Sequence, residues 1–293
     1  MDLALQAQIP VNRYRPSAPL RVTLQSIERL TAPDSPNDVR HLVLRWQPGE
    51  FNWHEGQSVG IVPPGVNAKG RPHPVRLFSI ASASDGENGD GTTLALTIKR
   101  FFWTIPETGE VLPGLCSNYL CDAKPGDQMW MTGPVGREMV PLDWTAPMVL
   151  VATGTGIAPF RAFLQQRSRL APAQRGRCLV VFGAQTADDL SYRAWMDGLV
   201  ATDPLLHVVY ARSREEKTSD GRRMYVQDRL RHHGAVAWEL LADPRAELYL
   251  CGLKGMEDGI EAALADIARQ HGGDWPGLRQ RLRDEHRLRI EVY

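Results

Sequence analysis

The stretch Met148–Phe163, MVLVATGTGIAPFRAF, constrains this chain more than any other. Met148 to Ala152 is an apolar run of strand length, Thr153 to Gly156 is a Gly-rich turn, and Ile157 to Gln166 carries helical spacing. Strand, tight turn and helix start in succession bring several backbone N–H groups to one point, where the helix dipole favours a bound phosphate. The pattern reads Gly154-x-Gly156-x-x-Pro159, so Pro holds the place where a dinucleotide-binding fingerprint has its third Gly. A plain strand–turn–helix packing unit would carry the same letters, and this stretch alone leaves both readings open.

The rest of the chain divides around it. At 293 residues the chain exceeds one average domain, which suggests two. Residues 1–17 contain Pro10 and Pro16 with little periodicity and read as a loosely attached N-terminal arm. From Leu20, short alternating runs (LRVTLQSIERLT, HLVLRW, QSVGIV, TLALTIK, QMWMT) are parted by Gly, Pro and Asp clusters, as in a small antiparallel barrel or sandwich over residues 18–145. Within it Asp85–Gly91, DGENGDG, reads as a polar turn without evident chemistry. Over residues 146–293 the character changes. Strand runs MVLVA, CLVVFGA, HVVYA and LYLCG alternate with helical stretches, including Asp188 to Val200, near Tyr225 to His232, and Met256 to Gln270. That alternation marks a parallel sheet covered by helices, and LRIEVY adds a short final strand.

Composition removes several classes. Formal net charge is +0, which favours neither nucleic acid nor a membrane surface, and no run approaches the ~18 apolar residues of a membrane span. The N-terminus lacks the basic lead and apolar core of a secretory signal. Cys116, Cys121, Cys178 and Cys251 have no CxxC spacing, which points to reduced thiols in a cytoplasmic protein and to no metal site.

Two stretches of the first domain suit a cofactor. In Arg76-Leu77-Phe78-Ser79-Ile80-Ala81-Ser82 a cation, an aromatic ring and hydroxyls would suit a flavin; an ordinary edge strand with one core Phe would read the same. Gly114-Leu115-Cys116-Ser117-Asn118 precedes a helical stretch and offers backbone N–H groups for a phosphate, or simply a capped helix.

Taken together, these residues resemble the plant-type ferredoxin–NADP⁺ reductase family. RLFSIAS resembles its flavin motif, LCSNYLCDAKPGD and GPVGREM its next segments, and GTGIAPFRAFL its nucleotide loop, followed in order by SRE, MYVQ, CGLKGMEDGI and the terminal EVY. The resemblance implies a two-domain flavoprotein, an antiparallel β-barrel for FAD followed by an α/β parallel-sheet domain for NADP(H). It also implies hydride exchange with NADP(H) and single electrons exchanged with ferredoxin or flavodoxin.

Carried over residue by residue, the resemblance puts Arg76, Leu77, Phe78 and Ser79 against the flavin, with Thr97, Ile98 and Lys99 on the adjoining strand. Trp103 takes the place of the aromatic on the FAD adenine, and Gly114, Leu115, Cys116 and Ser117 that of the pyrophosphate loop. Tyr293 would cover the flavin ring where nicotinamide must sit, and Ser79, Cys251 and Glu291 would form the polar cluster beside the reacting atoms. Thr153, Gly154, Gly156, Ala184, Gln185, Gly252 and Leu253 would contact the nucleotide. Ser213, Arg214, Arg223 and Tyr225 would take a 2′-phosphate, where NAD enzymes commonly place a carboxylate. A solvated charged loop is the competing reading of that last segment. Three departures stand out: Phe78 replaces the family's Tyr, Arg223 its frequent Lys, and Ala184-Gln185 the Val-Pro of plant members.

The expected partner is an acidic carrier and the expected state a monomer. Candidate rim cations are Arg13, Arg15, Lys69, Arg71, Arg100 and Arg137, with Arg287 and Arg289 beyond. Residues 1–145 hold 13 Lys and Arg against 15 Asp and Glu, so any docking patch must be local. A dedicated NAD(P)H-dependent reductase component of an oxygenase, or a redox-inactive nucleotide sensor, are the alternatives.

Overall fold

A computed structural model of the chain describes residues 9–141 and 143–293; the first eight residues of the expected arm, and Leu142, lie outside that description. Contacts divide the chain into two compact units. One runs to Val140 and includes Arg161–Phe163; the other comprises Pro141–Phe160 and Leu164–Tyr293.

The first unit is built on β1 (Leu20–Arg29), β2 (Val39–Arg45), β3 (Ser58–Val62), β4 (Arg76–Ser79), β5 (Thr93–Lys99) and β8 (Gln128–Val135), in the sheet order β4-β3-β8-β1-β2-β5. Every pairing in it is antiparallel. The two edges meet through a bridge between Ile80 and Leu96 and a 2.8 Å bond from Ala81 N–H to the Ala95 carbonyl, which closes the sheet into a barrel. Alternation dictates the filling: Leu20, Val22 and Leu24 of β1 point inward, where they meet Leu42, Leu44, Leu94, Leu96 and Met131. A separate ribbon pairs β6 (Phe102–Thr104) with β7 (Val111–Pro113), and α1 (Leu115–Asp122) follows it.

The described part of the N-terminal stretch is not loose. Tyr14 exchanges two 2.9 Å backbone bonds with Gly133, Gln57 Nε2 donates to the Pro10 carbonyl at 2.8 Å, and Ile9 is buried. Unpaired backbone groups on β8 recruit the segment, a cause that prolines in the sequence do not report. In the expected DGENGDG turn, Glu87 turns inward to His41 at 3.3 Å, so that turn is more than solvated polarity.

The second unit carries β9 (Met148–Thr153), β10 (Cys178–Ala184), β11 (Leu206–Arg212), β12 (Glu247–Gly252) and β13 (Leu288–Val292) in the order β11-β10-β9-β12-β13, all pairs parallel. Central β9 is buried on both faces, which is why it reads as an unbroken apolar run. Its helices are α2 (Ile157–Arg169), α3 (Arg193–Thr202), α4 (Val226–His232), α5 (Gly234–Leu241), α6 (Met256–Gln270) and α7 (Trp275–Asp284). Val149, Val151, Leu248 and Leu250 pack with Leu230, Leu240, Ile260, Leu264 and Ile267. Each such side chain contributes about 1.5–3 kcal/mol on burial.

One helix starts later than the sequence suggests, and two helices are additional to those expected. α3 begins at Arg193 rather than Asp188, because Tyr192 sits at φ 63 and the buried Asp189 carboxylate takes the Thr186 hydroxyl at 2.9 Å. α5 and α7 were not foreseen; α7 has a signal, with Pro276 in its first turn and Trp275, Leu278 and Leu282 on one buried stripe. Among the described residues, no helix is long and apolar enough to cross a membrane.

Candidate active site

In the parallel sheet the chain turns in one direction from β9 to β10 and β11, and in the other to β12 and β13. Loops at the carboxyl ends of β9 and β12 therefore part at a topological switch point, where open α/β sheets bind ligands. Here Gly156 meets the end of β12. A Cβ at Gly156 would lie 2.1 Å from the Cys251 carbonyl oxygen and 2.7 Å from Gly252 Cα, so only glycine permits this approach. Gly252, at φ +148, would in turn place a Cβ 2.2 Å from Thr153 Oγ1. That hydroxyl accepts the Leu253 N–H at 2.9 Å and donates to Met256 Sδ at 3.4 Å, locking the two loops together. Gly154 is exposed, and no side chain caps the turn it opens or the start of α2. A turn and helix start whose N–H groups no side chain caps suit a phosphate.

Cys251, Glu291 and Tyr293 belong to the same corner. Cys251 pairs in register with Glu291 on β13, and its thiol is buried. Burial, then the neighbouring Glu291 carboxylate, push that thiol well above its ordinary value, so it stays protonated. Tyr293 is tied by its N–H to the Gly252 carbonyl at 3.0 Å, by its carbonyl to the Lys254 N–H at 3.0 Å, and by its hydroxyl to Thr155 Oγ1. Thr155 was not singled out in the sequence; its place between two motif glycines is the only signal. Ser79, expected beside Cys251 and Glu291, belongs to the barrel unit.

At the ends of β10 and β11 the chain knots Ser213 and Arg214 to Ala184 and Gln185. Ser213 N–H donates to the Ala184 carbonyl at 3.0 Å and Arg214 N–H to the Gln185 carbonyl at 2.8 Å. A bridge between Lys217 and Arg223 folds the next segment back, ahead of the half-exposed Tyr225. The cations here are of two kinds. Arg212 is paired with Glu215 and Glu216, Arg229 with Glu216, and Arg222 with Asp220. Arg214 and Arg223 are exposed and have no ion pair among the described residues, which leaves both free for an anion.

Glu216 anchors this loop. Burial alone would push its carboxyl up, but hydrogen bonds from Arg212 and Arg229 pull it from 4.5 down to about 2. A depressed folded value means the contribution to stability is complete above pH 4.5 and fades as the pH falls towards 2. Glu216→Gln should therefore cost about 1–3 kcal/mol in urea unfolding at pH 6, with the gap to wild type narrowing near pH 3. A gap independent of pH would contradict the pairing.

The barrel unit holds the other predicted set. Arg76 and Leu77 on edge strand β4 are exposed, while Phe78 and Ser79 are half-buried and Phe78 packs in part against the barrel core. Thr97 and Ile98 are buried on β5, and Lys99 is exposed. Ile98 and Cys116 belong to the core, so neither side chain faces outward and only their backbones are available to a ligand. Burial pushes the Cys116 thiol up to about 12 against the pull of the nearby Arg76 guanidinium. α1 begins at Gly114 with no side-chain cap, and Leu77, Phe101, Phe102, Trp103 and Leu115 all expose about half or more of their surface. Uncapped N–H groups, a cation and bare apolar surface are the donor set that a dinucleotide with aromatic rings would satisfy, so these residues fit FAD.

Two expected rim cations are removed. Arg100 is partly buried and clamped between Asp38, at 2.9 Å, and Asp122, at 2.8 Å. Arg289 is buried over the Tyr249 ring, 5.3 Å from its centroid. Arg13, Arg15, Lys69 and Arg71 are exposed.

Comparison with known proteins bears on this geometry. An oxidoreductase NAD-binding domain model matches residues 150–262. The cyanelle ferredoxin–NADP reductase of Cyanophora paradoxa is 38% identical over 298 residues, covering 100% of this chain and 82% of that protein. The chain belongs to the ferredoxin–NADP reductase family. Leaf isozyme 1 of the chloroplastic ferredoxin–NADP reductase of Oryza sativa subsp. japonica is 39% identical over 97% of this chain and 80% of its own length. Among solved structures, the Plasmodium falciparum ferredoxin–NADP⁺ reductase shares 26% identity at a TM-score of 0.74, over 96% of this chain and 99% of that one. The same Plasmodium falciparum enzyme has also been solved with 2′P-AMP, at 25% identity and a TM-score of 0.74 over 96% of this chain. The two-domain architecture of the reductase family is thus the architecture of this chain.

Proposed function

We propose that this chain is an FAD-dependent ferredoxin–NADP(+) reductase, exchanging a hydride with NADP(H) and single electrons with ferredoxin. The observation that carries the proposal is the pairing of an uncapped Gly154–Gly156 turn with two uncommitted cations, Arg214 and Arg223, at the same carboxyl edge of the sheet. FAD, when bound, supplies the conversion between a two-electron hydride and single electrons. The protein's own task is positioning.

In this reading Arg76 and the N–H groups of Gly114–Ser117 hold the pyrophosphate, Trp103 takes the adenine, and Phe78, Ser79, Thr97, Ile98 and Lys99 flank the flavin ring. Thr153, Gly154, Gly156, Gly252 and Leu253 orient the nicotinamide half of NADP(H); Ala184, Gln185, Ser213 and Tyr225 frame its adenosine. The 2′P-AMP held by the Plasmodium falciparum relative supports a 2′-phosphate ligand of the same kind. Cys251, kept protonated by burial, serves as a neutral donor beside Glu291, and Tyr293 shields the ring until nicotinamide displaces it. A flavodoxin is accepted in place of ferredoxin, and the protein works as a cytoplasmic monomer with domains at 18–145 and 146–293.

The deciding experiment is an anaerobic titration with NADPH and, separately, NADH, following flavin absorbance. Ready bleaching by NADPH alone supports the reading; equal or better bleaching by NADH overturns the role of the Ser213–Tyr225 segment and favours a dedicated NADH-linked reductase. Cys251→Ala and Glu291→Ala should each slow stopped-flow flavin reduction at least tenfold while the NADPH dissociation constant stays within about twofold. Restoring the family's hydroxyl with Phe78→Tyr should tighten FAD about fivefold, the equivalent of ~1 kcal/mol for one hydrogen bond, as read by fluorescence titration of apoprotein. An unchanged FAD dissociation constant would show that no bond is regained.

A further inference from the structure

Phe101 and Gly114 are joined by a short polar network. The Gly114 N–H donates to the Phe101 carbonyl at 2.8 Å, and Ser117 Oγ accepts the Phe101 N–H at 3.2 Å. Asn118 unites them. Its Nδ2 donates to the Phe101 carbonyl at 2.8 Å and to the Gly114 carbonyl at 2.9 Å, while its Oδ1 accepts from Arg100 Nη1 at 3.0 Å. Both side-chain ends are thereby used, which fixes the amide's orientation. The Arg100 fork is held in turn by Asp38 and Asp122, and the Arg100 N–H bonds the Asp38 carbonyl at 2.8 Å. Phe101 leads directly into the ribbon that carries Trp103; Gly114 opens α1.

We infer that Asn118, oriented by Arg100, is a positioning residue that sets the adenylate end of the flavin site and so selects FAD over FMN. Its side-chain hydrogen bonds run to Arg100, Phe101 and Gly114 and not to the ring strands β4 and β5. It locks the spacing between the helix start suited to a pyrophosphate and the ribbon suited to an adenine, two groups that riboflavin lacks altogether. FMN has one phosphate and no adenine. The spacing matters because a 3.0 Å and a 3.1 Å approach already surround a Cβ placed on Gly114, so the turn has no slack in which to recover a lost bond.

The inference rests on the flavin reading of this unit, which the wild-type protein checks separately through its own preference for FAD over FMN. The test is the dissociation constant of apoprotein for FAD, FMN and riboflavin, by flavin fluorescence, in wild type, Asn118→Leu, Asn118→Asp, Arg100→Lys and Arg40→Gln. Asn118→Leu removes every side-chain bond; Asn118→Asp keeps the acceptor for Arg100 but turns carboxylate oxygens on two carbonyls. Arg40 shares Asp38 with Arg100 but reaches the far end of α1 through the Cys121 carbonyl at 2.8 Å, so its variant removes helix anchoring while every Asn118 bond stays in place. Expected is a rise of at least about tenfold in the FAD constant for both Asn118 variants and Arg100→Lys, with riboflavin and FMN within about twofold and Arg40→Gln leaving the FAD-to-FMN ratio unchanged. Should the Asn118 variants fail to fold, Arg100→Lys carries the same expectation. A parallel rise in the constants of all three flavins, an unchanged FAD-to-FMN ratio, or an equal effect of Arg40→Gln overturns the inference. A wild-type protein that binds no flavin overturns the reading of the unit and the inference together.

Discussion

Gly156→Ala should lower the rate of flavin reduction by NADPH at least 100-fold while leaving the FAD content of the purified protein unchanged. The added methyl would stand 2.1 Å from the Cys251 carbonyl oxygen and 2.4 Å from its carbon. Those are backbone atoms of a buried strand hydrogen-bonded on both sides, to β9 and β13, so the neighbour cannot yield. The turn must move instead, by the better part of an ångström, and misplacement on that scale costs hydride transfer on the order of 10²-fold. Overpacking also destabilises the α/β unit by about 1–3 kcal/mol. Gly154→Ala is the control. Its Cβ meets nothing within 4 Å and suffers only its φ of +55, a strain of about 1 kcal/mol, so its reduction rate should fall far less than that of Gly156→Ala. Stopped-flow absorbance on both variants checks this; similar rates for the two would show that the close approach of the loops does not govern reduction.

The second large effect concerns selection between the nicotinamide dinucleotides. Arg214→Ala and Arg223→Ala should each weaken NADPH about tenfold, and together about 100-fold, with NADH unaffected. A hydrogen bond to a charged group contributes ~1.5–3 kcal/mol, and exposure places these two at the lower end. The loss should shrink as ionic strength rises, because the charges lie in solvent. Arg212→Ala offers the contrast, since its guanidinium is already committed to Glu215 and Glu216 and its removal should affect stability rather than selection. Dissociation constants for both dinucleotides at two salt concentrations decide the matter. An equal loss for NADH would remove the 2′-phosphate from this segment.

The alternation of short strands and then of strands with helices made both layers legible in the sequence, because burial of one face or of two writes period 2 or a continuous run into the residues. β9, β11 and α6 fall within a residue or so of their expected bounds for that reason. α5 was lost because it follows α4 with a single residue between, and two short helices in succession blur into one period. The glycines of the nucleotide turn were legible as a pattern, but not their purpose: no letter in the sequence records that Gly156 lies against Cys251, 95 positions away. Charge was the least legible property. Arg100 and Arg214 look alike as letters, and only the carboxylates that fold around the first separate a committed cation from an open one.

Every loop of the parallel sheet that carries a residue proposed to hold the nucleotide leaves the carboxyl end of a strand. The connections entering the opposite end carry none, among them the turn Asp243–Arg245 that leads into β12. That turn is largely solvated, and Arg245 ties it outward to Asp143 and Thr145. It is accordingly a natural graft point. A carrier domain spliced there on a flexible tether would leave the cradle's backbone untouched, and would turn a collision between two proteins into a reaction whose rate is set by tether length rather than concentration.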